Sequence, residues 1–206
     1  MQQHTFATYD DYVAAQRELT LRKIERPDLR CFMQPAVAGA IAEDWHKNAG
    51  MPVSLVGCCH GVRRGEELDL LAVRFDVGAG WYFIGTEITP ELCDDGRIIC
   101  ADFQHPLPNR WPQFDLIYSN SFDHASRPDA TAALWVSQLS LTGLLYVEWT
   151  PWHNRLGGEW KKADCLAASL DEYIAIFSKA GIVHRVLVVP EDGWQRCILV
   201  IGRGCE

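Results

Sequence analysis

The chain has 206 residues, 48% of them hydrophobic and 22% charged, which is the balance of one globular domain and excludes disordered, collagen-like and miniprotein classes. Acidic residues number 27 against 19 basic ones, for a net charge of −8, and no basic run or stripe appears. Bulk nucleic-acid binding and attachment to an anionic membrane surface are therefore not expected.

Residues 9–26 read as an amphipathic helix. Tyr9 or Tyr12, Val13, Gln16, Leu19 or Thr20 and Ile24 fall at helical spacing, and Pro27 ends it. A second helix is expected from Val37 to Asn48, stopped by Gly50 and Pro52. These two are expected to pack as a helical cap (1–50) over the open end of an α/β domain (51–206).

Pro52–Gly57 is a first short apolar run, ending in a turn with Gly57 and Gly61. Glu66–Phe75 reads as a helix and Trp81–Glu87 as a second run. Thr89, Pro90 and Glu91 form a helix start: Thr caps, Pro suits the first turn, and Glu favours the dipole. Arg97–Asp102, Phe114–Ser119 and Leu144–Glu148 are further apolar runs. Helices are expected over Asp129–Leu139 and Asp164–Lys179, the latter ended by Gly181. Ile182–Val189 and Cys197–Ile201 close the chain, joined by a turn over Pro190–Gly193.

Five short unalternating runs separated by helices imply strands buried on both faces, hence a parallel sheet. The last two runs lie too close for a crossover helix and predict an antiparallel hairpin. The expected architecture is a three-layer α/β sandwich with a mostly parallel seven-stranded sheet.

Met1 to Asp11 are polar and show no secretory leader pattern, and no apolar run reaches transmembrane length. Eight cysteines, at 31, 58, 59, 93, 100, 165, 197 and 205, include no Cys-x-x-Cys pair. Most sit in apolar runs. They read as reduced thiols of a cytosolic protein, without a zinc centre.

In an open α/β sheet, ligands bind at the carboxyl ends of the strands, where the strand order reverses. The residues following each predicted strand suit a nucleoside. Gly57 and Gly61 let the backbone approach a ligand. Glu87 can accept from both ribose hydroxyls, Asp102 from an adenine amino group, and Phe103 can pack on the ring. No Gly-Lys-Ser/Thr stands in the first loop, which disfavours a triphosphate. NAD is disfavoured because Cys59 and Val62 stand where a dinucleotide loop needs glycine.

From Val53 to Trp149 the sequence resembles class I S-adenosylmethionine-dependent methyltransferases. The stretch Leu55-Val-Gly-Cys-Cys-His-Gly61 resembles their first motif, although Leu55 replaces the usual acid and Cys59 the middle glycine. Glu87 matches the acid ending their second strand, and Asp102 with Phe103 matches the adenine pair. Phe114–His124 matches the fourth motif, and Thr142-Gly143 matches a Pro-Gly-Gly. The resemblance implies a Rossmann-like fold, S-adenosylmethionine as cofactor, and methyl transfer to an acceptor, expected to be a small molecule. It implies cofactor contacts from Gly57, Cys58, Cys59, His60, Gly61, Glu87, Ile88, Asp102, Phe103, Asn120 and Ser121. A degenerate, non-catalytic scaffold of the same fold is the alternative that Leu55 and Cys59 keep open.

Plainer roles compete at each position. Gly57 and Gly61 suit any tight turn, Glu87 could cap the following helix, and Asp102 could start a loop. Cys58, Cys59 and His60 lack the spacing of a metal centre and read better as turn and core filling. Asp123 and His124, with His153, are the candidates for proton transfer on the substrate side, against a capping or packing role. Trp149 and its neighbours could wall a pocket or cover the sheet end. Gly157–Trp160 reads as a lid or a linker.

Overall fold

The computed structural model describes residues 1–26, 32–48, 54–75, 82–94, 96–107, 113–154, 164–191 and 194–204. The expected boundary at 50–51, the Gly157–Trp160 loop, Cys31 and Cys205 lie outside them.

In chain order the elements are β1 (Gln2–Gln3), α1 (Tyr9–Ile24), α2 (Pro35–Asn48), β2 (Val56–His60), α3 (Glu66–Arg74), β3 (Tyr82–Glu87) and β4 (Ile98–Cys100). They continue as β5 (Phe114–Ser119), α4 (Pro128–Ser137), β6 (Leu139–Trp149), β7 (Leu166–Ala167), α5 (Leu170–Ala180), β8 (Ile182–Glu191) and β9 (Trp194–Gly202). Seven strands form one sheet in the order β4-β3-β2-β5-β6-β9-β8. The pairs from β4 through to β6 are parallel, and β9 runs antiparallel to both β6 and β8. The mostly parallel seven-stranded sheet with its C-terminal antiparallel hairpin is as expected. The order reverses at β2, which pairs with β3 on one side and β5 on the other.

Strand alternation feeds two cores. On one face Cys59, Leu116, Tyr118, Tyr146, Ile198 and Val200 meet α2 and α3 through Val37, Ile41, Trp45, Leu68 and Leu71. On the other, Cys58, Ile117, Leu145, Val147, Leu199 and Ile201 meet Trp135 of α4 and Tyr173, Ile176 and Phe177 of α5. The adjacent cysteines thus fill opposite cores. Cys58, Cys59, Cys165 and Cys197 are buried and in no disulfide, whereas Cys100 is exposed.

Helix starts follow local chemistry. Thr8 and Asp11 form a reciprocal capping box on α1, and Ser169 and Glu172 form another on α5. Pro128 takes the first turn of α4.

Three expectations need correction. The first strand does not end at Gly57; it runs from Val56 to His60. The helix expected at Thr89 is a three-residue 3-10 turn, Pro90–Leu92, with no side-chain cap. Only residues 88–97 separate β3 from β4, too few for a crossover helix. The helix expected from Asp164 begins at Leu170, because Leu166–Ala167 pairs with Gln2–Gln3 instead. Val37, Ile41 and Trp45 of α2 pack in the core shared with α3 and the sheet. Asp44 accepts from both Nε and Nη2 of Arg185 at 2.6 Å and from the Tyr146 hydroxyl at 2.9 Å, tying α2 to β8 and β6.

Candidate functional site

The carboxyl ends of β2, β3, β4 and β5 converge where the strand order reverses. A cleft of about 450 Å³, counting its open mouth, lies there. Its floor is Gly61, Arg63, Glu87, Ile88, Asp102 and Phe103, and Ser121 and His124 join from beyond β5. Tyr12, Gln16, Leu19, Thr20 and Lys23 of α1 form its roof.

The turn after β2 is built on left-handed backbone. Gly61 has φ +77° and Gly65, which precedes α3, has φ +81°. Arg63 between them has φ 48°, unusual for a residue with a side chain. A Cβ on Gly61 would stand 2.7 Å from Ser121 Oγ. The turn is therefore Gly61-Val62-Arg63-Arg64-Gly65, not Gly57–Gly61. In that register Arg63 takes the middle-glycine place and Cys59 stands two before the first glycine. Gly57 lies inside β2 with Phe83 ring atoms 2.2 Å from where its Cβ would be.

Glu87 ends β3 and is 3% exposed. Its Oε2 accepts from the Arg63 backbone N–H and its Oε1 from the Thr89 backbone N–H, both at 2.9 Å. A carboxylate can take about four hydrogen bonds, so these two fix its orientation and leave lone pairs for the cleft. It does not cap a following helix through its side chain in the way Thr89 was expected to; it holds the turn and the strand end together.

Asp102 Oδ1 accepts from the Gln104 backbone N–H at 2.9 Å. Its Oδ2 accepts from the Tyr9 hydroxyl of α1 at 3.0 Å. Burial first, and then the Asp102 charge, push Tyr9 up to about 12, so the phenol keeps its proton. The Phe103 ring meets Trp135 edge-on at 5.4 Å, and its carbonyl accepts from Trp135 Nε1 at 2.9 Å.

His60 is a core residue. Its Nδ1 lies 3.0 Å from Thr86 Oγ1, its Nε2 lies 3.1 Å from Gln138 Oε1, and its ring stacks on Trp135. Burial lowers it to about 4, so it is neutral. Of the predicted cofactor contacts, Gly61, Glu87, Ile88, Asp102, Phe103 and Ser121 line the cleft. Gly57, Cys58, Cys59 and His60 lie in β2 and, like Asn120, do not line the cleft. Ser119 Oγ donates to the His60 carbonyl and Ser121 Oγ to the Gly61 carbonyl, which binds the two loops across the reversal point.

On the substrate side, Asp123 and His153 are buried and His124 is largely so. His124 Nε2 lies 3.9 Å from Asp123 Oδ1, and its Nδ1 lies 3.6 Å from Asp164 Oδ1. His153 Nε2 is 3.9 Å from Asp123 Oδ2. The Thr150 backbone N–H donates to His153 Nδ1 at 3.3 Å, which places the ring proton on Nε2, facing Asp123. Only His124 of this group lines the cleft. Asp123, His124 and Asp164 each bring one donor atom within 4.8 Å of the others. Asp164 gave no signal in the sequence: it is 40 residues from His124 and follows no motif. Trp149 Nε1 donates to the Ala168 carbonyl, so this tryptophan anchors the sheet end.

No family model matches the sequence and no curated protein matches it. Solved structures do. An S-adenosylmethionine-dependent methyltransferase from Clostridium acetobutylicum aligns with TM-score 0.67 over 90% of this chain and 98% of that chain, at 11% identity. The trans-methyltransferase CalH, in complex with SAH, aligns with TM-score 0.65 over 93% of this chain and 63% of its own, at 14% identity. The [4+2]-cyclase SpnF aligns with TM-score 0.58 over 82% of this chain and 83% of its own, at 13% identity. Taken with the strand order, these likenesses show that the chain has the Rossmann-like fold of class I S-adenosylmethionine-dependent methyltransferases.

Proposed function

We propose that the protein is a methyltransferase that uses S-adenosylmethionine and acts on a small-molecule acceptor. The observation that carries this reading is Glu87: a buried carboxylate at the end of β3, fixed by two backbone N–H groups, with acceptor capacity left toward the cleft at the strand ends. The open backbone at Gly61, where a Cβ would collide with Ser121, fits a ligand that presses on the turn.

When bound, the cofactor would supply an electrophilic methyl group on sulfur. Glu87 would hold the ribose hydroxyls, Asp102 the adenine amino group, and Phe103 and Ile88 the ring faces. The chain's task on the acceptor side is to orient it and take its proton. We assign that role to His124, which lines the cleft, with Asp164 3.6 Å and Asp123 3.9 Å from its two ring nitrogens and His153 3.9 Å from Asp123. The α1 roof would keep water from the reacting atoms. No helix among the described residues is long and apolar enough to cross a membrane. Buried cysteines that form no disulfide suit a reducing, cytosolic compartment.

The test is thermal unfolding with S-adenosylmethionine, S-adenosylhomocysteine and NAD in turn. A ligand at about 100 times its Kd adds ~2.7 kcal/mol. The two sulfur ligands should raise Tm and NAD should not, and Glu87→Gln should abolish the rise while the variant still unfolds cooperatively. No rise with any ligand in the wild type would overturn the reading in favour of a non-catalytic scaffold.

A further inference from the structure

Behind the turn over Gly61–Gly65 stands a carboxyl that the nucleoside site does not use. Glu67, in the first turn of α3, is 3% exposed, and its Oε2 makes no hydrogen bond. The Asn120 amide faces it from the end of β5. Asn120 is 9% exposed, and its Nδ2 is also without a partner. Two buried polar groups from different elements thus stand side by side with unused bonding capacity. Unfilled capacity of this kind is unfavourable unless something occupies it. Each group adjoins a residue that lines the cleft: Asn120 accepts from the Ser121 hydroxyl, and the Arg63 charge acts on Glu67.

The methyl donor is more than a nucleoside. Its far end is an amino acid, with an α-ammonium and a carboxylate. With Glu87 and Asp102 taken by adenosine, the remaining strand-end positions at the reversal point are the Gly61–Gly65 turn and Asn120. In β2 the residue two before Gly61 is Cys59, which brings no carboxylate.

We propose that Glu67 is the residue that binds the α-ammonium of the cofactor's amino-acid end, with Asn120 bridging and Arg63 serving the carboxylate beside it. This rests on the methyl-donor reading above. The pairing matches the charges of a zwitterion: one anion and one cation, contributed from α3 and from the turn that leads into it.

A titration signature follows. Burial raises Glu67 to about 7, opposed by its own backbone N–H and by Arg63. The other titratable groups facing it are Glu66 from α3 and Tyr118 from β5, and Tyr118 in turn faces Glu148 of β6 and Cys59 of β2. Near neutral pH the empty site therefore holds a partly protonated carboxyl. An arriving ammonium favours the charged form. Binding should release a proton below pH 7, and affinity should rise with pH up to that point.

The probes are S-adenosylhomocysteine, which carries the amino-acid end, and 5′-methylthioadenosine, which lacks it. Both are titrated calorimetrically at pH 5.5 and 7.5 into the wild type, Glu67→Gln and Glu66→Gln. In the wild type, S-adenosylhomocysteine should bind on the order of tenfold more weakly at pH 5.5, whereas 5′-methylthioadenosine should change less than about twofold. Glu67→Gln resembles the protonated side chain in shape and should fold. It should weaken S-adenosylhomocysteine at pH 7.5 by about tenfold, erase the pH difference and leave 5′-methylthioadenosine unchanged. Equal losses for both probes in Glu67→Gln, a pH difference that survives it, or the same effects in Glu66→Gln would each overturn the assignment. Binding of neither probe to the wild type would remove the methyl-donor reading itself.

Discussion

Gly57 and Gly61 look interchangeable in the sequence, and each could begin a turn. The structure separates them. Gly57 lacks a side chain because Phe83 fills its space, and Gly61 because its φ of +77° and Ser121 exclude one. Gly57→Ala should therefore lower stability by about 1–3 kcal/mol, the range for an overpacked core, and leave S-adenosylhomocysteine affinity within about twofold. Gly61→Ala should cost about 1–2 kcal/mol in backbone strain and also weaken that ligand at least tenfold, because the displaced Ser121 and the altered turn belong to the cleft. Calorimetry and chemical denaturation on the two variants check both. Loss of affinity in Gly57→Ala with none in Gly61→Ala would return the turn to the earlier position. His60 gives a second residue-scale expectation. Its folded-state value, lowered by burial from 6.5 to about 4, lies below that of the unfolded chain. The unfolded state thus binds more protons between these values, and stability falls as pH drops through that window. The loss should reach ~2 kcal/mol between pH 7.5 and 5 and be absent in His60→Gln. Glu67, raised instead of lowered, acts in the opposite sense, so the difference between wild type and variant is the quantity to measure.

At the scale of elements, the legible parts are those in which one physical rule acts alone. The apolar run Phe114–Ser119 was bounded correctly because every residue but Asp115 is buried and polar residues flank it. The antiparallel pairing of β8 with β9 followed from loop length. The errors arose where two rules compete. Gly57-Cys-Cys-His60 reads as a turn by its glycine and its polar histidine. Pairing to β3 and β5 on both sides overrides that, and His60 enters the core neutral, with each ring nitrogen bonded. Thr89-Pro90 carries a helix-start signal, but the β3–β4 connection is too short to use it. In the site, residues attached directly to strand ends (Glu87, Asp102, Phe103) were readable because the sheet rule places them. Asp164, Tyr9 and Glu67 were not. Their roles depend on which distant elements pack beside them, and no local pattern encodes that.

For the molecule as a whole, the division of labour between α1 and α2 decides what can be removed. The sequence suggests a single helical cap, since both helices precede the strands. In the structure α1 roofs the cleft and buries Tyr12, Gln16, Leu19 and Ile24, a narrow stripe. By contrast, Val37, Ala38 and Ile41 of α2 are 0% exposed and Trp45 is 1% exposed, all within the core shared with α3 and the sheet. Burying a Val, Ile or Trp side chain is worth roughly 1.5–3 kcal/mol, so these three alone account for about 5–9 kcal/mol. That is comparable to the whole stability of a domain, about 5–15 kcal/mol. The Asp44–Arg185–Tyr146 network adds a cross-tie between α2 and the last strands, and removing Asp44 leaves the Tyr146 hydroxyl unpaired in the core. A chain beginning at residue 27 should therefore fold, with lower Tm and weaker nucleoside binding. One beginning at residue 51 should lose cooperative unfolding and expose enough apolar surface to bind a hydrophobic dye. Far-UV circular dichroism, dye fluorescence and calorimetric melting of the two truncations decide the matter. Cooperative melting of the shorter chain would show that α2 is dispensable and restore it to the cap.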